Sequence, residues 1–265
     1  MMAIFRRNLW GLRRSFLIWS AILGLMTVLR IPVFNSIKNN PGFNEFLKTM
    51  PDYLKAMMGD QLEAVTTING FLASQHFQIS WLLVGGLFAA VTGSGLLARE
   101  VDRGTLGLLL SRPVSRTQVV VAKFFVLPVV YLLFAGVGLF FLWGSLLTVE
   151  ETPRWEGIWM SFLYGWMMLI AIGSVSLLLS SAASDSQKAS MSAIGLFLGS
   201  YLLNGIGSLQ EGVEFLRWFS FAHYYNSAEL FAGQGEPADS VFFLLISAIS
   251  LLSAVMVFNR RNFTL

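Results

Sequence analysis

Gln78-Ile-Ser-Trp-Leu-Leu-Val-Gly-Gly-Leu-Phe-Ala-Ala-Val-Thr-Gly-Ser-Gly-Leu-Leu-Ala98 carries no charge over its whole length, and Arg99, Glu100, Asp102 and Arg103 follow at once. An apolar run of about 18 or more residues, wound as a helix, crosses the roughly 30 Å hydrocarbon core of a bilayer. Four more uncharged runs follow the same pattern: Phe124–Val149, Gly157–Ser184, Ala189–Gln210 and Ser240–Asn259. A sixth, Ser15–Phe34, contains Arg30 near its far end, where a long basic side chain reaches the headgroups at modest cost. The expected fold is an all-α membrane protein: one transmembrane domain over residues 1–265. Its spans are expected at about 15–34, 78–98, 116–149, 153–183, 185–209 and 239–259.

Composition excludes a soluble globule. Of the 265 residues, 55% are hydrophobic and 12% charged, about half the charge of a soluble domain. Arg6, Arg7, Arg13 and Arg14 precede a first span with no small-residue cleavage site behind it, so that span is expected to stay as an anchor and not to act as a signal peptide. Cysteine is absent, which removes disulfides and thiolate chemistry. The net charge of +3 has a topological explanation and calls for no nucleic acid.

With both termini cytoplasmic, 12 of the 18 basic residues lie inside and 6 outside, as the positive-inside rule requires. Twelve of the 15 acidic residues then lie outside. The expected location is a plasma (inner) membrane, bacterial or archaeal. Residues 3–16 read as an amphipathic helix lying in the interface: Phe5, Leu9, Leu12 and Phe16 share one face, with Arg6, Arg7, Arg13 and Arg14 beside it at anionic lipid headgroups. In the outer segment, Asn40-Pro41 caps a short helix bearing Phe43, Phe46, Leu47 and Met50. A second stripe, Tyr53, Leu54, Met57 and Met58, follows Pro51. Ser115 to Gln118 and Ser184 to Gln187 match the capping box, and Thr152-Pro153 supplies a third start signal. Pro128 predicts a kink in the third span, and Gly195/Gly199 form a small-xxx-small pair suited to close helix contact.

Missing chemistry narrows function further. No Asp, Glu, His, Lys or Arg sits at mid-depth in the five clean spans, which weakens an ion-coupled carrier. His76 and His223 are far apart and both expected outside, and there is no zinc motif and no phosphate-binding loop. The chain therefore shows no catalytic site and no energy source of its own. The segment Arg99–Gln118 is the largest cytoplasmic element. It combines charge at its start with apolar Leu106 and Leu108–Leu110 at water level. A short helix there either lies under the bilayer or is gripped by a partner protein.

These residues resemble a known family. Glu100 followed by Arg103-Gly104-Thr105-Leu106, then Leu109-Leu110-Ser111-Arg112-Pro113-Val114-Ser115-Arg116, is similar to the signature of type-2 ATP-binding-cassette exporter permeases. Asn69-Gly70-Phe71-Leu72, six spans, an amphipathic start and the length are similar too. The resemblance implies that this segment is a cytoplasmic coupling helix docked on a separate ATPase subunit, with Glu100, Asp102, Arg103, Gly104, Thr105, Leu106, Leu109 and Leu110 in contact. Gly107 departs from the usual Glu and shifts acidic contact to Glu100 and Asp102. It also implies a second permease chain, identical or different, and ATP with magnesium in the partner and no cofactor here. The cargo would be amphipathic or hydrophobic, moved out of the cytoplasm or inner leaflet. Trp166, Met167 and Met168 suit such a cargo, whereas Trp143 and Trp159 read better as lipid-facing anchors. The alternatives are a membrane scaffold or assembly factor that recruits a cytosolic ATPase, and an autonomous carrier or channel.

Overall fold

The computed structural model describes residues 2–51, 66–105, 114–209 and 212–261, and among them the regular structure is helical throughout. Six helices are long and apolar enough to span a bilayer: Phe5–Lys38, Ile68–Asp102, Arg116–Leu146, Trp155–Ala182, Ser186–Leu209 and Pro237–Arg260. We call them the first to sixth spans. They match the six uncharged runs. Several run past the expected ends, because a helix continues into the polar interface beyond its apolar stretch.

The first span differs from expectation in kind. Residues 3–16 are not set apart from it. One unbroken helix, Met2–Lys38, holds all 37 residues. At 1.5 Å per residue it is about 55 Å long, so it overhangs a 30 Å core and carries Arg6 and Arg7 beyond its apolar body. Gly11, the one residue that favours a break there, has open space around it and does not interrupt the helix.

The second span is the buried centre of the bundle. It begins as α-helix at Ile68–Phe71, widens to a π-helix over Leu72–Gly85, and returns to α-helix over Gly86–Asp102. Sustained π winding is rare, and short π turns recur at functional sites. Phe77, Trp81 and Phe88 are fully buried on it. Trp81 and Phe88 pack at a tilt against Phe134 of the third span, at 5.9 and 4.6 Å between ring centroids. His76, expected outside, lies within this helix, buried edge-on to Phe77.

Small residues set the distance between the second and fourth spans. A Cβ on Gly93 would stand 2.3 Å from the carbonyl oxygen of Gly173. A hydroxyl then stitches the pair: Ser180 Oγ accepts from the Leu97 and Ala98 amides (3.1 and 2.9 Å) and donates to the Ser94 carbonyl. The Gly195/Gly199 pair behaves otherwise. Nothing lies within 4 Å of either Cβ direction, so within one chain this face of the fifth span is open.

Of the four expected helix starts, those at Ser115 and Asn40 hold and the other two shift. Ser115 and Gln118 form the full reciprocal box at the third span. At the fifth, Asp185 and not Ser184 caps the helix, accepting from the Gln187 amide at 2.6 Å. A carboxylate on the first-turn amides outcompetes a hydroxyl. The fourth span starts at Trp155, not at Thr152-Pro153. Residues 151–154 are drawn away by other partners: Glu151 by Lys38 and the Ile68 amide, and the Arg154 amide by Asn69 Oδ1 at 2.7 Å. Asn40 does cap Pro41–Thr49. The Tyr53 to Met58 stripe lies outside the described residues. Pro128 acts one turn earlier than its own position. The third span breaks between Phe124 and Val126, where the proline removes the bond to the carbonyl four residues before it and crowds that group.

Glu151 ties the end opposite Glu100 together. Burial alone would raise its pKa. The bonds from Lys38 and the Ile68 amide win and hold it below the ordinary value of 4.5. The folded value lies below the unfolded one, so its stabilisation is complete above 4.5 and is lost as pH falls through the lowered value. The contribution is on the order of 1 kcal/mol for a pair this exposed. Thermal unfolding should favour wild type over Glu151→Gln at neutral pH and show no difference once the carboxylate is protonated.

Candidate functional site at the Glu100 end

The second span stops at a motif whose chemistry is written in Arg103-Gly104-Thr105. Gly104 has φ +65°, a left-handed conformation that costs a residue with a Cβ about 1–2 kcal/mol. Its amide donates to the Val101 carbonyl at 3.0 Å, and the Thr105 amide donates to the Glu100 carbonyl at 3.0 Å. That is the Schellman arrangement, with glycine just past the last helical residues. The turn points the Thr105 hydroxyl back at the Glu100 carboxylate, to which it donates. The signature residues thus stop the helix and aim its last acid in one movement.

Glu100 is the hub. Its carboxylate also receives Arg7 from the first helix and, at 3.4 Å, the Lys123 ammonium from the third span. The Lys123 side chain has no exposure and that of Glu100 only 13%. The ammonium further donates to the Leu96 carbonyl at 2.5 Å and to Asn8 Oδ1 at 3.1 Å. Three helices therefore meet on one buried carboxylate. Replacing the hydration of such ions takes this many partners.

The other expected contact residues divide. Asp102 faces the fifth span and accepts from the Ser186 hydroxyl at 2.7 Å. Arg103 is exposed at the helix end. Leu106, Leu109 and Leu110, with the proposed coupling helix, lie outside the described residues. Of the four interfacial arginines, only Arg7 joins the hub. Arg6, Arg13 and Arg14 stay exposed, with Arg13 lying over the exposed Trp10 ring at 4.7 Å. Two further basic residues clip the sixth span's end. Arg116 donates to the carbonyls of Asn259 and Arg261, and Arg261 to those of Ser181 and Ala183.

Lys123 was not anticipated as a partner. Its signal is its place, one residue before an uncharged run and inside a helix of valines and phenylalanines. The apolar residues proposed for cargo also separate. Trp143 and Trp159 are exposed on the outside of the bundle, as lipid-facing anchors would be. Trp166 is half-buried with its Nε1 donating to the Pro128 carbonyl at 3.0 Å, and Met168 is fully buried. Both pack the interior.

Six apolar spans, three of them tied at one end by a polar hub, define a multi-pass helical membrane protein. The family model described as ABC-2 family transporter protein matches residues 2–263. The chain belongs to that family: it is a permease component of an ABC transporter, the membrane-embedded part and not the ATPase. No curated protein matches the chain at a significant level.

Proposed function

We propose that this chain is the membrane half of an ATP-driven exporter and that the loop between the second and third spans receives the stroke of a separate ATPase. Both termini and that loop face the cytoplasm of a plasma membrane, with 12 of 18 basic residues on that side. Two such chains, alike or different, work with two ATPase subunits holding ATP and magnesium. The cargo is amphipathic or hydrophobic and leaves from the cytoplasm or the inner leaflet.

The observation that carries the reading is the Glu100 hub. Segment 106–113 joins the second and third spans directly, and Glu100–Lys123 ties the flanking ends to each other and, through Arg7, to the first helix. A push on the loop therefore reaches three helices at once and not one floppy connection. A ligand-driven shift needs contacts that differ between its two states. The exposed Arg103 and the apolar Leu106, Leu109 and Leu110 are where the ATPase would make them.

The test is co-purification with a separate ATP-binding-cassette ATPase subunit co-expressed with this chain. Leu106→Asp is expected to cut ATPase recovery and substrate-stimulated ATP hydrolysis about tenfold or more, while membrane insertion stays at the wild-type level; one buried charge across an interface costs that much or more. Wild-type stoichiometry and activity in the variant would overturn the proposal. So would labelling that places residue 110 on the exterior face.

A further inference from the structure

Beside the hub, a cleft of about 310 Å³ opens between the start of the first helix and the end of the second span. Its rim carries Arg7, Arg99 and Arg103, and its floor is apolar, formed by Leu12 and Leu96 with Gly11 between them and the outside. The one carboxylate on it, Glu100, is already committed to Arg7, Lys123 and Thr105. Among the described residues no ion pair involves Arg99 or Arg103. Three arginines thus line the cleft with a single acid, and that acid is already engaged by one of them and by Lys123 beneath. Such an excess calls for an anion, and forked guanidinium donors fit phosphate oxygens in pairs.

The shape says which kind of anion. The polar rim sits where the charged start of the first helix gives way to its apolar body, and Leu12 is buried on the floor just beneath. Between the arginines the open lining is uncharged, with Gly11 and Gly95 beside the two buried leucines. A phosphate carrying an acyl chain would cover both rim and lining. We propose that the cleft binds the headgroup of an anionic phospholipid, phosphate on Arg99 and Arg103, with the start of its chain against Leu12 and Leu96. Such a lipid would neutralise the rim and hold the first helix against the second span. It is a built site, separate from the exposed arginines Arg6, Arg13 and Arg14.

Gly11 supplies a clean way in. Nothing lies within 4 Å of its Cβ direction, so Gly11→Leu starts a side chain into the cleft with no clash at its Cβ and does not weaken the helix. The experiment is native mass spectrometry of the full chain in detergent, titrated with phosphatidylglycerol, with phosphatidylcholine of the same chains, and with inorganic phosphate, alongside thermal midpoints. Wild type is expected to retain one phosphatidylglycerol about tenfold more tightly than phosphatidylcholine, with a raised midpoint. Inorganic phosphate should give no shift. Gly11→Leu, and separately Arg99→Gln with Arg103→Gln, should erase the preference. Gly136→Leu, in open space on the third span, should keep it.

Equal retention of the two lipids would overturn the proposal. A midpoint shift by inorganic phosphate as large as that by the lipid would make this a soluble-phosphate site and overturn it as well. Preference unchanged in both cleft variants would do the same. Appearance of the preference only when the ATPase is absent, with ATPase binding abolished by the arginine changes, would assign the rim to an acidic partner surface instead.

Discussion

Glu100→Ala is expected to destabilise the protein by about 3–5 kcal/mol, the cost of stranding a buried charge when its partner is removed. The stranded group is Lys123, whose ammonium has no exposure and would keep only a carbonyl and an amide oxygen. Lys123→Met is expected to cost less, because Glu100 keeps Arg7 and Thr105. The double variant Glu100→Ala with Lys123→Met should recover more than half of the loss, since neither charge is then left alone. Unfolding of the detergent-solubilised protein measures all three. A double variant as unstable as the sum of the singles would show that the two groups do not act on each other. The set also separates two roles of Glu100. A double variant that folds well yet fails to stimulate the proposed ATPase leaves the carboxylate a part in transmission. One that folds and transports leaves it a brace.

Gly93→Leu should do comparable harm by a different route. A Cβ at position 93 would meet the Gly173 carbonyl at 2.3 Å and Ser176 Cβ at 2.9 Å. The nearer atom is backbone and cannot rotate away. Behind it, Gly173 is closed off in turn by the Tyr131 hydroxyl, 2.3 Å from its own Cβ direction. The two spans must part, which breaks the Ser180 stitch as well. Overpacking of this kind costs about 1–3 kcal/mol for small additions and more for a full side chain. We expect Gly93→Ala to lower the thermal midpoint clearly and Gly93→Leu to abolish accumulation of monodisperse protein. Gly199→Ala, with nothing within 4 Å, should match or slightly exceed wild type. A wild-type melting profile for Gly93→Leu would mean that the two helices are not packed as described.

Six spans were legible because absence of charge is a property of one segment at a time. Lipid enforces it residue by residue, and Gln78–Ala98 needs no knowledge of its neighbours to be read. The ends were less legible, because competition decides them. Thr152-Pro153 is a good helix start in isolation, but Asn69, eighty-odd residues away in sequence, claims the Arg154 amide. The unbroken first helix escaped because its arginines suit an interfacial helix and an overhanging one equally well. The hub was half legible. Glu100 stood out beside Arg103-Gly104-Thr105, but its partners Arg7 and Lys123 come from other helices, and a pairing across helices leaves no mark on local periodicity. The π winding of Leu72–Gly85 has no signal in the sequence either, since its buried residues recur at no spacing that marks one winding over another.

That winding has a mechanical corollary. A wide coil packs more residues into each turn than the α-helix that continues it. If those fourteen residues tighten, the helix must grow longer and its far half must revolve about its own axis, as a screw turns when its thread pitch changes. The far half ends at Asp102 and carries Glu100 in its last turn. If the ATPase engages this end as proposed, winding around the buried Phe77 and Trp81 is geared to it, with a single helix as the drive shaft.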